Sequence, residues 1–254
     1  ANVGEVRNRG IELNANIFLI RNTAKAFTWS VGGSLVHNKN KILRISNSLE
    51  FLNEELIAES GSNPSFLYEE GKSMNTIYVV RSLGIDPATG REIFLDKEGQ
   101  RTYDWEASDK VACGVNEPKV WGNLNTMFRW KNLTLNAVFS YRAGGKAYNQ
   151  TLVDKVENIS KSSTYNNPWR NLDRRALYDR WQKAGDNTYF KDIKDFNTTY
   201  ASSRFVMKEN TFKLNSLNLT YDFDTEWLQR NAGIDYLSVG LYAEDVFQIS
   251  TIKQ

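Results

Sequence analysis

Apolar and polar residues alternate along this chain in three pairs of segments. In residues 8–20, Ile11, Leu13, Ala15, Ile17 and Leu19 alternate with Glu12, Asn14 and Asn16. In residues 25–37, Phe27, Trp29, Val31, Gly33 and Leu35 alternate with Thr28, Ser30, Gly32, Ser34 and Val36. Only residues 21–24 separate the two runs. Successive side chains of a strand point to opposite faces, so each run predicts a strand with one apolar face, and the short gap predicts a hairpin.

The second pair surrounds Lys131-Asn132. Val120, Gly122, Leu124, Thr126, Phe128 and Trp130 oppose Trp121, Asn123, Asn125, Met127 and Arg129. Leu133, Leu135, Ala137, Phe139 and Tyr141 oppose Thr134, Asn136, Ser140 and Arg142. The third pair, 211–223 and 236–247, is less regular. Leu217, Leu219, Tyr221 and Phe223 share a face, while Phe212 and Leu214 fall on the other, which a bulge near Asn215-Ser216 would reconcile. Its turn holds residues 226–231, compatible with one helical turn. Leu237, Val239, Leu241 and Ala243 face one way on the last strand.

These runs of about 10–13 residues approach the length a tilted strand needs to cross a bilayer and exceed the usual globular strand of about 5–6. Short turns alternate with very long connections, 38–119 and 144–209, as in a transmembrane β-barrel. The polar faces carry Asn, Ser, Thr and Gly more than Lys and Glu, which suits a crowded wet lumen. Aromatic rings gather beside the short turns: Phe27 and Trp29, then Phe128 and Trp130, then Phe223, Trp227 and Tyr236. Such rings collect where apolar and aqueous phases meet. The row Phe27, Trp29, Val31, Leu35, Phe128, Trp130, Leu135 and Phe139 is therefore expected to face lipid or form an interfacial girdle. A soluble sandwich whose aromatics pack a dry core remains the rival.

The expected fold is all-β: about six antiparallel strands of a larger transmembrane barrel. Its parts are a hairpin at 1–37, a long loop with a small hairpin at 38–119, a hairpin at 120–143, a long loop compatible with a short helix at 144–209, a hairpin at 210–247, and the start of a further loop at 248–254. In the first loop, residues 77–83 are apolar and β-prone. Asp86-Pro87-Ala88-Thr89-Gly90 and Asp96-Lys97-Glu98-Gly99 carry turn chemistry. In the second loop, Ala176, Leu177, Tyr178 and Trp181 stand near helical spacing. Tyr165, Trp169, Tyr178 and Trp181 are the candidate ligand-stacking rings there. The competing reading has Trp169 and Trp181 pack the loop against itself.

Composition changes the picture little. Apolar residues make up 41% of the 254, with a mean hydropathy of −0.53. No run reaches the roughly 18–20 apolar residues of a membrane helix, whereas a barrel strand shows lipid only every second residue. The net charge of +2 carries no basic stripe, so nucleic acid is not an expected partner. One cysteine, Cys113, and one histidine, His37, supply neither an internal disulfide nor a metal cluster. No phosphate loop or nucleophile triad is present. No catalytic residue, metal or cofactor is expected, and the chain does not read as an enzyme.

Several phrases resemble one family. Residues 6–13, VRNRGIEL, resemble the "N-x-G-I-E-L" strand opening of TonB-dependent outer-membrane transporters. Phe27-Thr28-Trp29-Ser30 with residues 37–43, HNKNKIL, resembles the "F-x-W … N-K-N-K-V-L" segment of the SusC/RagA type from Bacteroidetes. Residues 84–90, GIDPATG, followed by DKEG at 96–99, are similar to that type's "G-I-D-P-x-T-G … D-x-x-G" insertion. PKVWGN at 118–123 resembles "P-K-x-x-G-G", and FKLNSLNLTY at 212–221 resembles "F-L-R-L-K-N-V-T-L-G-Y". The Trp-Gly-Asn of the fourth phrase departs from Gly-Gly, and no Gly-rich run precedes Gly84.

The resemblance implies a large plugged barrel in a bacterial outer membrane. It would import glycans or peptides with energy from a TonB complex and pair with a SusD-like surface lipoprotein. The chain would then be the last part of that barrel, with the plug, TonB-contacting segment and signal peptide upstream and the closing strand downstream. Membrane lipid would bathe its outer face. A passive porin or a soluble β-rich carbohydrate-binding module are the alternatives.

Overall fold

The computed structural model describes residues 4–159, 173–223 and 225–252. They form two compact units. One comprises residues 9–39, 118–145 and 209–254, and the other residues 1–8, 40–117 and 146–208.

The first unit is a six-stranded antiparallel sheet. Its strands are β1 (Gly4–Asn22), β2 (Phe27–Ile45), β7 (Val120–Trp130), β8 (Leu133–Tyr148), β9 (Val206–Asp222) and β10 (Ser238–Ser250), paired in that order. The ends of the longer strands run on into the other unit. The sheet is not closed, because β1 and β10 are its edges. Chain order equals spatial order, so each strand pairs with the one before it through a short turn or a long connection. No helix is long and apolar enough to cross a membrane, which says nothing about crossing with strands.

The turns follow from local chemistry. In the first, Ala26 takes φ 46° and donates to the Thr23 carbonyl, while the Asn22 side chain accepts from the Lys25 amide at 3.0 Å. In the second, Lys131 takes φ 49° and its amide donates to the Ala26 carbonyl at 2.8 Å, tying the two turns together. A helix, α2 (Thr225–Ala232), fills the third.

Between Ser216 and Leu214, one residue of β9 faces two of β10, Asp245 and Val246. Asp245 adopts φ 49° and pairs with Lys213 at 2.7 Å. The bulge thus lies on the partner strand, opposite Asn215, and not at Asn215-Ser216. Phe212 stacks on Phe139 at 5.4 Å and leans on Phe247 at 6.4 Å, which joins β8, β9 and β10 through one aromatic stack.

The second unit is built on a smaller sheet. Strands β3 (Thr76–Ile85), β4 (Glu92–Leu95), β5 (Arg101–Thr102) and β6 (Lys110–Val115) pair in the order β5-β4-β3-β6. The central β3 is covered on both faces, with Ile77, Tyr78, Val79 and Val80 all buried. Ile77 and Val79 pack with Ala201. A second cluster joins Leu152, Val153 and Val156 of the helical segment 150–157 to Ala176, Phe190 and Phe205. Helix α1 (Asn47–Ala58) precedes β3. Residues 174–182 hold only a single turn of 3-10 helix, Arg174–Ala176, capped by Asp173.

Candidate functional site

The two faces of the six-stranded sheet differ chemically, and register shows how. Phe27 lies opposite Trp130, Trp29 opposite Phe128, Val31 opposite Thr126 and Gly33 opposite Leu124. On the next strand Phe128 meets Leu135 and Leu124 meets Phe139. One face therefore carries Phe27, Trp29, Val31, Phe128, Trp130, Leu135 and Phe139, with Leu35 two residues beyond Gly33. Phe27 and Phe128 meet edge to face at 4.9 Å. The Trp29 indole donates to Thr126 Oγ1 at 3.0 Å, so its only polar atom is satisfied within that face. Trp29, Leu35 and Trp130 are 37%, 38% and 50% exposed.

The opposite face carries amides and hydroxyls, with Trp121, Met127, Arg129 and Arg142 among them. A shallow hollow of about 420 Å³ is lined by Asn14, Asn16, Ser34, Asn123 and Asn125, with Ala15 and Gly33 beneath. A Cβ on Gly32 would strike the Asn125 side chain at 2.6 Å, so the glycine makes room for that amide. The hollow holds neutral donors and acceptors, a lining able to contact peptide backbone or sugar hydroxyls without fixing either.

The second unit is anchored by buried charge. Arg204 donates to Glu92 Oε2 at 2.8 Å and to Glu157 Oε1 at 2.6 Å, with all three side chains almost fully buried. Burial works against the guanidinium charge, but the two carboxylates overcome it and hold the Arg204 pKa above its ordinary value. Ser202 Oγ donates to Glu92 at 2.6 Å, and Arg204 also donates to the Tyr189 carbonyl at 2.7 Å. Tyr189, pressed into this cluster, has its phenol pushed up to about 12, mainly by burial, with Arg204 lowering it and Glu157 and Glu92 raising it.

Arg180 is buried too and donates to the carbonyls of Ala176, Val156, Glu157 and Lys191. Burial lowers its pKa. The Lys110 ammonium reaches the carbonyls of Leu56, Ile57 and Glu59 at the end of α1 and the Ser65 hydroxyl. A cation there complements both the orphan carbonyls and the helix dipole.

Of the candidate stacking rings, Tyr165 and Trp169 lie outside the described residues. Tyr178 is 57% exposed, with the Arg174 guanidinium 5.3 Å from its ring. Trp181 lies against the Asp86–Gly90 turn: its indole donates to the Pro87 carbonyl at 2.9 Å, and its ring sits where a Cβ of Gly90 would be. Gly90 has φ 73°, so this turn needs glycine for conformation and for space. Among the described residues there is no cluster of metal-ligating side chains. His37 Nδ1 lies 2.6 Å from the Lys119 carbonyl. Cys113 is a half-buried free thiol raised by burial. The hollow and the Arg204 cluster had no local signal in the sequence, since Glu92, Glu157 and Arg204 lie far apart along it.

A long, open antiparallel sheet with an exposed aromatic-aliphatic face and an amide-lined reverse has the architecture of a β-barrel wall. Comparison with known proteins agrees. No protein-family model matches the chain. TonB-dependent receptor P3 of Formosa agariphila is 22% identical over 244 residues, covering 89% of this chain and 23% of that protein. TonB-dependent receptor P39 of the same organism is 21% identical over 304 residues, covering 100% and 27%. The structure of the RagAB peptide transporter superimposes with a TM-score of 0.77 at 19% identity, over 99% of this chain and 26% of that one. The RagAB importer in its "open-open" state gives 0.75 at 18% identity, over 99% and 26%. The chain thus shares the fold of a segment of that transporter, and the resemblance to TonB-dependent transporters read from its sequence is borne out. It spans about a quarter of the length of these relatives.

Proposed function

We propose that this chain forms barrel wall and loops of a TonB-dependent outer-membrane importer that takes up peptides or glycans together with a SusD-like surface lipoprotein. The observation that carries the reading is the exposed row of Trp29, Leu35 and Trp130 on a sheet whose reverse is lined by Asn14, Asn16, Asn123 and Asn125. In lipid every backbone group must find a partner, which a closed barrel supplies. The short turns face the periplasm and the long connections the exterior. The wall does no bond chemistry. It offers neutral hydrogen-bonding groups on one side and an apolar surface on the other, and the loop unit presents ligand contacts on a rigid base, as functional loops commonly do. Tyr165, Trp169, Tyr178 and Trp181 are its candidate ligand contacts, and Phe27, Trp29, Val31, Leu35, Phe128, Trp130, Leu135 and Phe139 its lipid-facing row.

The test uses the full-length protein in its own cells. Membrane fractionation should place it in the outer membrane and release it only with detergent. Uptake of labelled oligopeptides or oligosaccharides should stop when TonB is deleted. Detergent-free solubility overturns the barrel reading; uptake that persists without TonB leaves a passive porin in its place.

A further inference from the structure

We infer that the rim formed by the first two short turns is a binding site for the headgroup of an anionic glycerophospholipid. The inference rests on the outer-membrane reading above. Residues 18–30 and 126–136 contain four bases, Arg21, Lys25, Arg129 and Lys131, and no acid. The Lys131 amide bond to the Ala26 carbonyl brings these two turns side by side. Arg21, Lys25 and Lys131 are exposed, and none of the three joins an ion pair among the described residues. Of the acids on the adjoining third turn, Asp222 at the end of β9 accepts the Tyr236 hydroxyl at 3.0 Å.

Beside these cations lies the aromatic end of the apolar face. Lys131 Nζ stands 5.7 Å from the Trp130 ring, and Phe27 packs on Phe128. An ammonium held over an exposed indole, next to an apolar surface, places its charge where the hydrocarbon ends and phosphate begins. A zwitterionic headgroup brings its phosphate together with a cation of its own, whereas an anionic headgroup brings the net negative charge that these unpaired bases favour. Arg129 differs from the others. It alternates with Phe128 and Trp130, so it belongs to the opposite, amide-lined face, and it serves as an internal control of equal charge at the same height.

The experiment takes the detergent-purified full-length protein, reconstitutes it in phosphatidylcholine vesicles with and without phosphatidylglycerol, and counts co-purifying lipid by native mass spectrometry. Phosphatidylglycerol should be enriched on the wild type. Each lysine near an anionic surface contributes roughly a five-fold preference, so Lys25→Gln with Lys131→Asn should remove most of the enrichment while Arg129→Gln keeps it. Equal retention of the two lipids by the wild type overturns the inference, as does an equal loss in Arg129→Gln and the double variant. Failure to insert into either vesicle overturns the membrane reading itself, and this inference with it.

Discussion

The Tyr141 hydroxyl donates to the carbonyl of Ser34 at 3.0 Å, reaching across Gly122 to a strand that is not its neighbour. Tyr141 lies opposite Gly122 in the ladder, and a Cβ on Gly122 would overlap the Ser34 carbonyl. Glycine thus lets β2 and β7 close up, and the tyrosine ring covers the bare backbone this leaves. Gly122→Ala should force the strands apart at an overpacking cost of about 1–3 kcal/mol, and Tyr141→Phe should lose about 1 kcal/mol for the hydrogen bond. The temperature at which the full-length barrel unfolds in detergent measures both. An unchanged midpoint for Gly122→Ala would show that the strands are not held by this contact.

Arg204 holds two buried carboxylates, and the consequence of removing it is specific. Arg204→Met leaves Glu92 and Glu157 buried without a cation and should destabilise the loop unit by about 3–5 kcal/mol. Adding Glu92→Gln and Glu157→Gln should restore much of that loss, because neutral amides tolerate burial better than bare charges. Limited proteolysis of the full-length protein between residues 150 and 205 reports the effect. If the triple variant is cleaved as fast as the single one, unpaired charge is not the cause.

Tyr189 makes the same cluster sensitive to alkali. Its phenol is raised from 10.0 to about 12 in the folded chain. The folded state therefore keeps a proton that the unfolded chain releases. Its stabilising effect is complete below pH 10 and is lost as pH rises from 10 through 12, by up to about 2 kcal/mol once partial exposure is discounted. Tyr189→Phe should flatten the fall in loop-unit stability across that window, read by hydrogen exchange at matched pH. A wild type and variant that lose protection in parallel would assign the alkaline loss to other groups.

Much of the sheet was legible because its code is local. Period-two alternation alone sorted Trp29 from Ser30 and Leu124 from Asn125, and register bears out that sorting. What failed to show is held by distant partners. Alternation in β2 reads to His37, yet the strand continues to Ile45. There Asn40 bonds Glu117, Ser73 and the Met74 amide, groups 33 to 77 residues away. Helix α1 buries no residue of its own and is capped by Lys110, some fifty residues on. The helical spacing near 174–182 gives a single turn, because Arg180 turns inward to bond carbonyls that a helix would leave to its own amides. Of the candidate ligand rings, Trp181 packs a turn whose glycine is ninety residues distant, a relation no short window contains.

Leu124 and Asn125 are adjacent in sequence and opposite in face, so they test the proposed wall most sharply. Leu124 shares its face with Gly33 and Phe139, and Asn125 lines the amide hollow. If hydrocarbon meets the first face and water the second, Leu124→Arg must carry a charge into lipid. That costs about 2–4 kcal/mol near the midplane, and the variant should assemble poorly and be degraded. Asn125→Arg places the same side chain at the same depth in a wet lumen, where it should assemble near wild-type level and shift uptake toward anionic cargo. Folded barrel in outer-membrane fractions, scored by mobility before and after heating, separates the two. Equal assembly of both variants would mean that lipid does not touch the Leu124 face. The reverse order would mean that the faces are exchanged, with Trp29 and Trp130 turned toward cargo rather than membrane.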